Sequence, residues 1–494
     1  MVEPVELESE KNDNPQEQKD SFIFFGSIFI AILYDFLFID KIAGVSYPLF
    51  ILGVYGLLYK KVKESLAKKY CFENLLMLVI GLLALTYLFF SNQVLRSINS
   101  ILIPFLFVSH SLLLTETSRY EWSRIGFIKD VMKGMFVWPF EKIVKPFHVM
   151  QELLIKDNGR MKDSVTKKVI TGIILSLPVL VLVIALLSSA DLVFGNMMQQ
   201  IFRNIEFGDI ILHTLLIGFI TITTFSFFWS ATYSNRKKVP YINIEPKLDV
   251  ISILTVLSLL NIVYGAFSYI QFAYLFGSIF NQLPDGFTYA EYARKGFFEL
   301  IVVVIVNVAI VLVSLKYTKL AGGRTVQAFK ILNCGLIMST FIMLFSSFFR
   351  MYLYEEIYGY TYLRVFTHEF MLMLFFILGV TLYKVWSDKL NIAKWYIVIS
   401  LISYVLINYI NVDVFIAQKN MERYYKTGTI DVSYLSEMSH DTTVYIKELT
   451  NSPNPQISAE AQEYIDMRKN LLASEKNWQS YNLSKQRAFS ILNQ

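Results

Sequence analysis

The chain has 494 residues, of which 54% are hydrophobic and 17% charged, and its formal net charge is +5. Soluble globular chains carry roughly 45–50% apolar and about 25% charged residues, so this composition excludes a disordered or fibrous chain and argues against a soluble multi-domain enzyme. The apolar excess is gathered in blocks near the ~20 residues that cross a hydrocarbon core as a helix. The expected class is therefore all-α, a polytopic integral membrane bundle.

Residues 1–21 are polar and lack the basic start, short apolar stretch and small-residue cleavage site of a signal peptide. Apolar spans follow at 22–39, 43–59, 74–91, 98–115, 169–190, 209–230, 250–277, 298–315, 331–349, 366–383 and 395–411, eleven in all. Lys and Arg test that count, because cytoplasmic loops keep the excess of them. The N-terminus and the segments 60–73, 116–168, 231–249, 316–330 and 384–394 together hold 29, whereas the alternate segments hold seven. The alternation is unbroken. It places the N-terminus in the cytoplasm and the tail 412–494 outside, and it assigns the pI near 8.7 to basic inner loops rather than to nucleic-acid binding.

The first four spans (22–115) are separated from the seven-helix region 169–411 by the loop 116–168. That loop interleaves Trp122, Phe127, Met135, Phe136, Trp138, Phe140 and Phe147 with Arg124, Lys129, Lys133, Lys142 and Lys145. Such a mixture suits a helix lying in the headgroup layer, cut into short pieces by Pro139 and Pro146. The tail 412–494 is nearly neutral and is expected to form a small helical extracytoplasmic region with a turn-rich break at 452–458. Cys71 and Cys334 suggest reduced thiols with a packing role.

Charge in a membrane is costly and concentrates at functional positions. The outer ends of the later spans are rich in it: LLSSADLVFGNMM with Asp191, GFTYAEYARKGFFEL with Glu291, Tyr292, Arg294 and Glu299, and RMYLYEEIYGYTYLRVFTHEF with Arg350, Tyr354, Glu355, Arg364 and His368. Arg350 and Tyr354 are four apart and share a helix face. Arginines bind carboxylate or phosphate in bidentate fashion, so Glu291, Tyr292, Arg294, Arg350, Tyr354, Glu355 and Arg364 form a candidate site for an anionic ligand, with Asp191 and Glu299 as candidate proton-coupling groups. The competing reading is an aromatic belt with ion pairs between helix ends. His110 and His213 inside apolar spans read as hydrogen-bonding partners of neighbouring helices. No phosphate-binding GxxxxGK[ST] loop, HExxH metal site or GxSxG nucleophile elbow occurs, and the five histidines show no ligand spacing. No cofactor and no metal are expected.

The stretches LLSSADLVF (186–194), GFTYAEYARKGFFEL (286–300), RMYLYEEIYGYTYLR (350–364) and DVSYLSEMSHD (431–441) resemble the signature segments of a bacterial membrane family, domain of unknown function 4173, and are similar also to its sister group 4153. The resemblance implies a bacterial multi-pass protein of the cell membrane, and it implies no reaction. Transport of a small molecule, ion or lipid is the class best suited to so many spans. The alternatives are a membrane sensor or complex partner that uses the tail, and an envelope enzyme modifying lipid or glycan. Besides the bilayer, the partners expected are a small anionic ligand or another membrane or envelope protein.

Overall fold

The computed structural model describes residues 15–68, 72–155, 207–233, 237–240, 245–279, 297–320, 322–387, 389–475 and 477–493, together with 172, 176, 180, 183, 184, 187 and 190–203. No strand occurs among them. Nine helices in this set are long and apolar enough to cross a membrane: Asp20–Phe38, Phe72–Phe89, Gln93–Leu114, Leu212–Tyr233, Val250–Gln271, Glu299–Tyr317, Arg324–Tyr358, Tyr362–Trp386 and Ile392–Tyr409. Each coincides with an expected span. Lipid offers no hydrogen bonds, so a crossing segment must satisfy its own backbone, as a helix does.

Two compact units divide the chain. The first comprises Met1–Leu88, Ile98–Lys238 and Lys476–Tyr481, and the second comprises Phe89–Ser97, Val239–Glu475 and Asn482–Gln494.

In the first unit, α1 (Pro15–Phe38) packs on α2 (Ser46–Leu66), while α3 (Phe72–Phe89) and α4 (Gln93–Leu114) follow. The helix α2 forms where the span 43–59 is expected. It runs on through Lys60, Lys61 and Lys63, and those charges keep it outside the nine. The loop expected at the headgroups folds into α5 (Ile125–Phe136), α6 (Trp138–Glu141) and α7 (Lys145–Ile155). After α8 (Leu192–Arg203), the long α9 (Phe207–Tyr233) packs along α1. The core joins Phe24 and Ile30 of α1, Val54 and Leu58 of α2, Leu112 of α4, Val131 and Trp138, and Phe225 and Phe228 of α9. The expected span 169–190 falls largely outside the described residues.

In the second unit α10 (Val250–Ile279) and α11 (Phe297–Tyr317) flank α12 (Arg324–Tyr358), which packs on α13 (Tyr362–Trp386), and α13 packs in turn on α14 (Ile392–Tyr409). Lipid tails give apolar helices little reason to associate, so small and polar residues do that work. Asn307 donates to Thr340 (3.0 Å) and Ser314 to Asn333 (2.8 Å), joining α11 to α12, and Asn261 of α10 donates to the Leu332 carbonyl (3.0 Å).

The tail contains α15 (Val412–Thr427), α16 (Val432–Ser436), α17 (Thr443–Leu449), α18 (Pro455–Ser474) and α19 (Leu483–Leu492). Four of these five helix starts carry side-chain caps. Asn411, Asp431, Asn454 and Asn482 each accept from a backbone N–H two or three residues on. Ile416, Met421, Leu435, Ile446 and Leu449 form its core, which continues onto Val365 and Ile407 of the membrane helices.

Candidate functional site

The helix α12 has 35 residues, about 52 Å at ~1.5 Å per residue, well beyond a hydrocarbon core of ~30 Å. It is therefore longer than one crossing needs, and its last three turns hold Arg350, Tyr354 and Glu355. The segment RMYLYEEIYGYTYLR, expected to follow a span, is helix almost throughout, interrupted only at 359–361. Gly359 makes the break possible. Its φ is 82°, its N–H bonds back to the Glu355 carbonyl, and an L side chain rarely adopts that backbone.

Arg350 is 8% exposed and Ser346, one turn earlier, 1%. Both reach Gln271 of α10: its Oε1 accepts from Ser346 Oγ at 2.7 Å and from Arg350 Nη2 at 3.1 Å. Glu355 is 2% exposed and pairs with His368 of α13, Oε2 to Nε2, at 2.9 Å. Glu355 Oε1 and His368 Nδ1 are buried and have no hydrogen-bond partner among the described residues. The His368 ring meets the edge of Phe348 at 4.3 Å. Arg364 lies over the Tyr354 ring (4.4 Å) and donates to the Gly359 carbonyl, so it bridges the helix break.

Beside this polar set lies a cavity of about 700 Å³, bounded by Met338, Phe341, Phe345 and Phe348 of α12 and by Met371, Leu372 and Phe375 of α13. Gln271 and Ser346 supply its polar wall, with the Arg350 guanidinium one hydrogen bond behind them. The volume falls in the ~300–1,000 Å³ range of small-molecule sites. Chemically, the arrangement offers hydrogen-bond donors backed by a positive charge at one end, an apolar trough beside them, and a hydrogen-bonded carboxylate–imidazole pair one turn further along.

The structure brings Tyr354 and Arg364 into contact and sets Arg350 and Glu355 on neighbouring turns with different partners. Glu291, Tyr292 and Arg294 lie outside the described residues. Asp191 is exposed and caps α8, accepting from the Phe194 N–H at 2.8 Å. Glu299 is exposed in the first turn of α11. The set expected from sequence lacks Gln271, Ser346 and His368. Gln271 had one signal, an uncharged amide in an otherwise apolar run.

A second polar centre lies at the root of the tail. Asp413, 1% exposed, accepts from Asn92 Nδ2 (2.6 Å), Tyr362 OH (2.5 Å) and the Ser439 N–H (3.2 Å). The Tyr434 hydroxyl accepts from the Tyr362 N–H at 2.9 Å, and the His440 N–H donates to Ser91 Oγ at 3.0 Å. The segments RMYLYEEIYGYTYLR and DVSYLSEMSHD thus meet. Burial raises the Asp413 carboxyl above its ordinary range, against the hydrogen bonds of Ser439, Tyr362 and Asn92. His440 is lowered to about 3 by burial and, next, by the charges of Arg468, Lys485 and Arg96. Arg468 clamps the turn, donating to the carbonyls of Ser436 (2.6 Å) and Met438 (3.2 Å). A charge in the apolar run VDVFIA was the sequence signal for Asp413.

Residues 77–449 match the model of the family described as Domain of unknown function (DUF4153), which covers most of the chain, and the chain belongs to that family. No curated protein and no solved structure matches it.

Proposed function

We propose that this member of the DUF4153 family is a transporter that binds an amphiphile with an anionic head, a lipid or lipid-like molecule, in the trough between α12 and α13. The observation carrying the reading is the division within one cavity of about 700 Å³: apolar side chains on most of its wall, with Gln271 and Ser346 at one end and Arg350 behind them. A chain would lie against Phe341, Phe345 and Met371 while its head accepts from the polar end. Glu355 and His368, one turn further along, would couple a proton to its passage. The candidate residues Tyr354 and Arg364, beside Arg350 and Glu355, belong to the same proposal, and Glu291, Tyr292 and Arg294 are proposed as further ligand groups on their residue types alone. About eleven spans, a cytoplasmic N-terminus and an extracytoplasmic tail, which the alternation of Lys and Arg supports, belong to it as well.

The test is native mass spectrometry of the full chain released from nanodiscs containing phosphatidylglycerol. The parent should retain the lipid. Met338→Trp, which fills the trough from an exposed position, and Arg350→Gln should each lower its occupancy about tenfold or more, since a hydrogen bond to a charged group is worth ~1.5–3 kcal/mol. Ser346→Ala tests the same end should Arg350→Gln fail to accumulate. A parent that carries no lipid, or folded variants that carry as much as the parent, would overturn the reading.

One observation favours the tail as a partner-binding module: Met467 and Leu471, four apart on α18, are 58% and 51% exposed. Cross-linking from position 467 in intact membranes should then give a heterologous adduct, which the transport reading alone does not require.

A further inference from the structure

The cytoplasm-ward loop of the first unit carries an inference that stands apart from the trough in the second. On α5 one face is buried: Phe127, Asp130, Val131 and Gly134 turn towards the core. Asp130 fixes the approach, its Oδ2 accepting from the Arg119 and Tyr120 N–H groups at 2.7 and 3.2 Å. The opposite face is apolar and exposed, with Ile125, Ile128, Met132 and Phe136 at helical spacing and Ile125 85% exposed. Lys129 and Lys133 flank that stripe, and both are exposed. Phe140 and Val144 continue the apolar surface on α6 and just before α7.

Two contacts fix its depth. Ser226 of α9 donates to the Trp138 carbonyl (2.6 Å) and accepts from the Lys142 N–H (2.9 Å). Ser226 lies seven residues before the end of α9 at Tyr233, about 10 Å along the axis. Gly134 lies against Val108 of α4, where an added Cβ would come within 2.6 Å of Val108 Cγ1. Val108 is six residues before the end of α4 at Leu114, about 9 Å. Two different membrane helices thus put α5 and α6 at the depth of their own last turns. Amphipathic helices on membranes sit ~5–10 Å into the headgroup boundary. Lys142 and Lys145 lie over the Trp229 ring at 5.9 and 5.7 Å, at the same level.

We infer that α5–α7 form a seat for anionic lipid: the stripe Ile125–Ile128–Met132–Phe136 is immersed in the acyl boundary of the cytoplasmic leaflet, and Lys129, Lys133, Lys142 and Lys145 gather phosphate head groups around it. The occupant is the bilayer surface itself. A soluble protein partner would need this apolar face in water, and the levels of Ser226 and Val108 leave it at the lipid boundary.

Photo-cross-linking tests this with the full chain in nanodiscs of equimolar phosphatidylglycerol and phosphatidylcholine, p-benzoylphenylalanine replacing Phe136 or, separately, Ile128. Mass spectrometry should show lipid adducts at both positions, with phosphatidylglycerol favoured about threefold or more, since each Lys near an anionic surface is worth ~1 kcal/mol. Combined Lys129→Gln, Lys133→Gln, Lys142→Gln and Lys145→Gln should bring the ratio to about one with the adducts retained. Adducts to protein, adducts to neither lipid, or equal use of both lipids by the parent would overturn the inference.

Discussion

Asp413 and His440 sit a short distance apart in sequence from groups that treat them oppositely. Three donors surround the Asp413 carboxylate, so its burial is compensated. His440 keeps its backbone N–H on Ser91, while its ring Nδ1 is buried without a hydrogen-bond partner among the described residues. Burial and three nearby positive charges hold the ring neutral, lowered from 6.5 to about 3. A base whose pKa falls on folding binds fewer protons in the folded state, so its contribution is intact above 6.5 and is lost as pH falls below that value towards 3. Asp413 and Asp441, both raised, act with the opposite sign from 3.8 upwards. Comparison with His440→Gln cancels their part. Between pH 7.5 and 5.5, hydrogen exchange corrected for intrinsic rate should show residues 432–449 opening more in the parent than in the variant, by up to about tenfold for the pH unit below 6.5. Parallel pH profiles for the two proteins would show that this imidazole does not titrate on opening.

At the scale of elements, the break at 359–361 decides where Arg364 and the tail's first helix stand. Asn420 of α15 grips it from both sides, its Oδ1 accepting from the Tyr360 N–H and its Nδ2 donating to the Tyr360 carbonyl, each at 2.9 Å. A Cβ on Gly359 would lie 2.6 Å from Asn420 Oδ1, at a φ that disfavours L residues. Gly359→Ala should therefore lower the thermal midpoint of the full chain by the equivalent of ~1–3 kcal/mol, read by scanning fluorimetry. Gly428→Ala, also at positive φ but with open space around it, should cost less. The long apolar helices were legible because lipid leaves a chain few alternatives to a self-satisfied helix. The end of α12 was not. Its last three turns are as polar as a loop, and helix persists there because Glu355, Arg350 and Tyr354 find partners on α10 and α13 that only the fold assembles. Tyr362 and Tyr434 read equally well as belt residues. Their hydroxyls instead tie α13 to the tail, that of Tyr362 bonding Asp413 and that of Tyr434 the Tyr362 N–H, a distinction that depends on contacts 51 and 72 residues away in sequence.

For the whole molecule, the tail between 445 and 494 enters both units. In the second it supplies Ile446, Leu449, Ile457 and Ala461, which cover Ile416, Met421 and Leu435. In the first, Ser480 and Tyr481 cap the start of α2, where the Val45 N–H donates to the Tyr481 carbonyl at 2.9 Å and Gly44 lies against Ser480 so closely that a Cβ would come within 2.6 Å of its carbonyl carbon. Removing 445–494 would therefore uncover apolar surface in one unit and unpair backbone in the other, so it is no clean way to ask whether the tail signals. Each large buried apolar side chain uncovered is worth ~1.5–3 kcal/mol, and few membrane domains have that much stability to lose. The truncated chain should accumulate several-fold less in the membrane than the full chain and should be cut by protease within 412–444, where the full chain resists. Normal abundance together with a protected 412–444 would mean that the first two tail helices hold their core without α17–α19. Separation of signalling from transport is better sought at Met467 and Leu471, whose exposed side chains can be changed to Ser without opening either core.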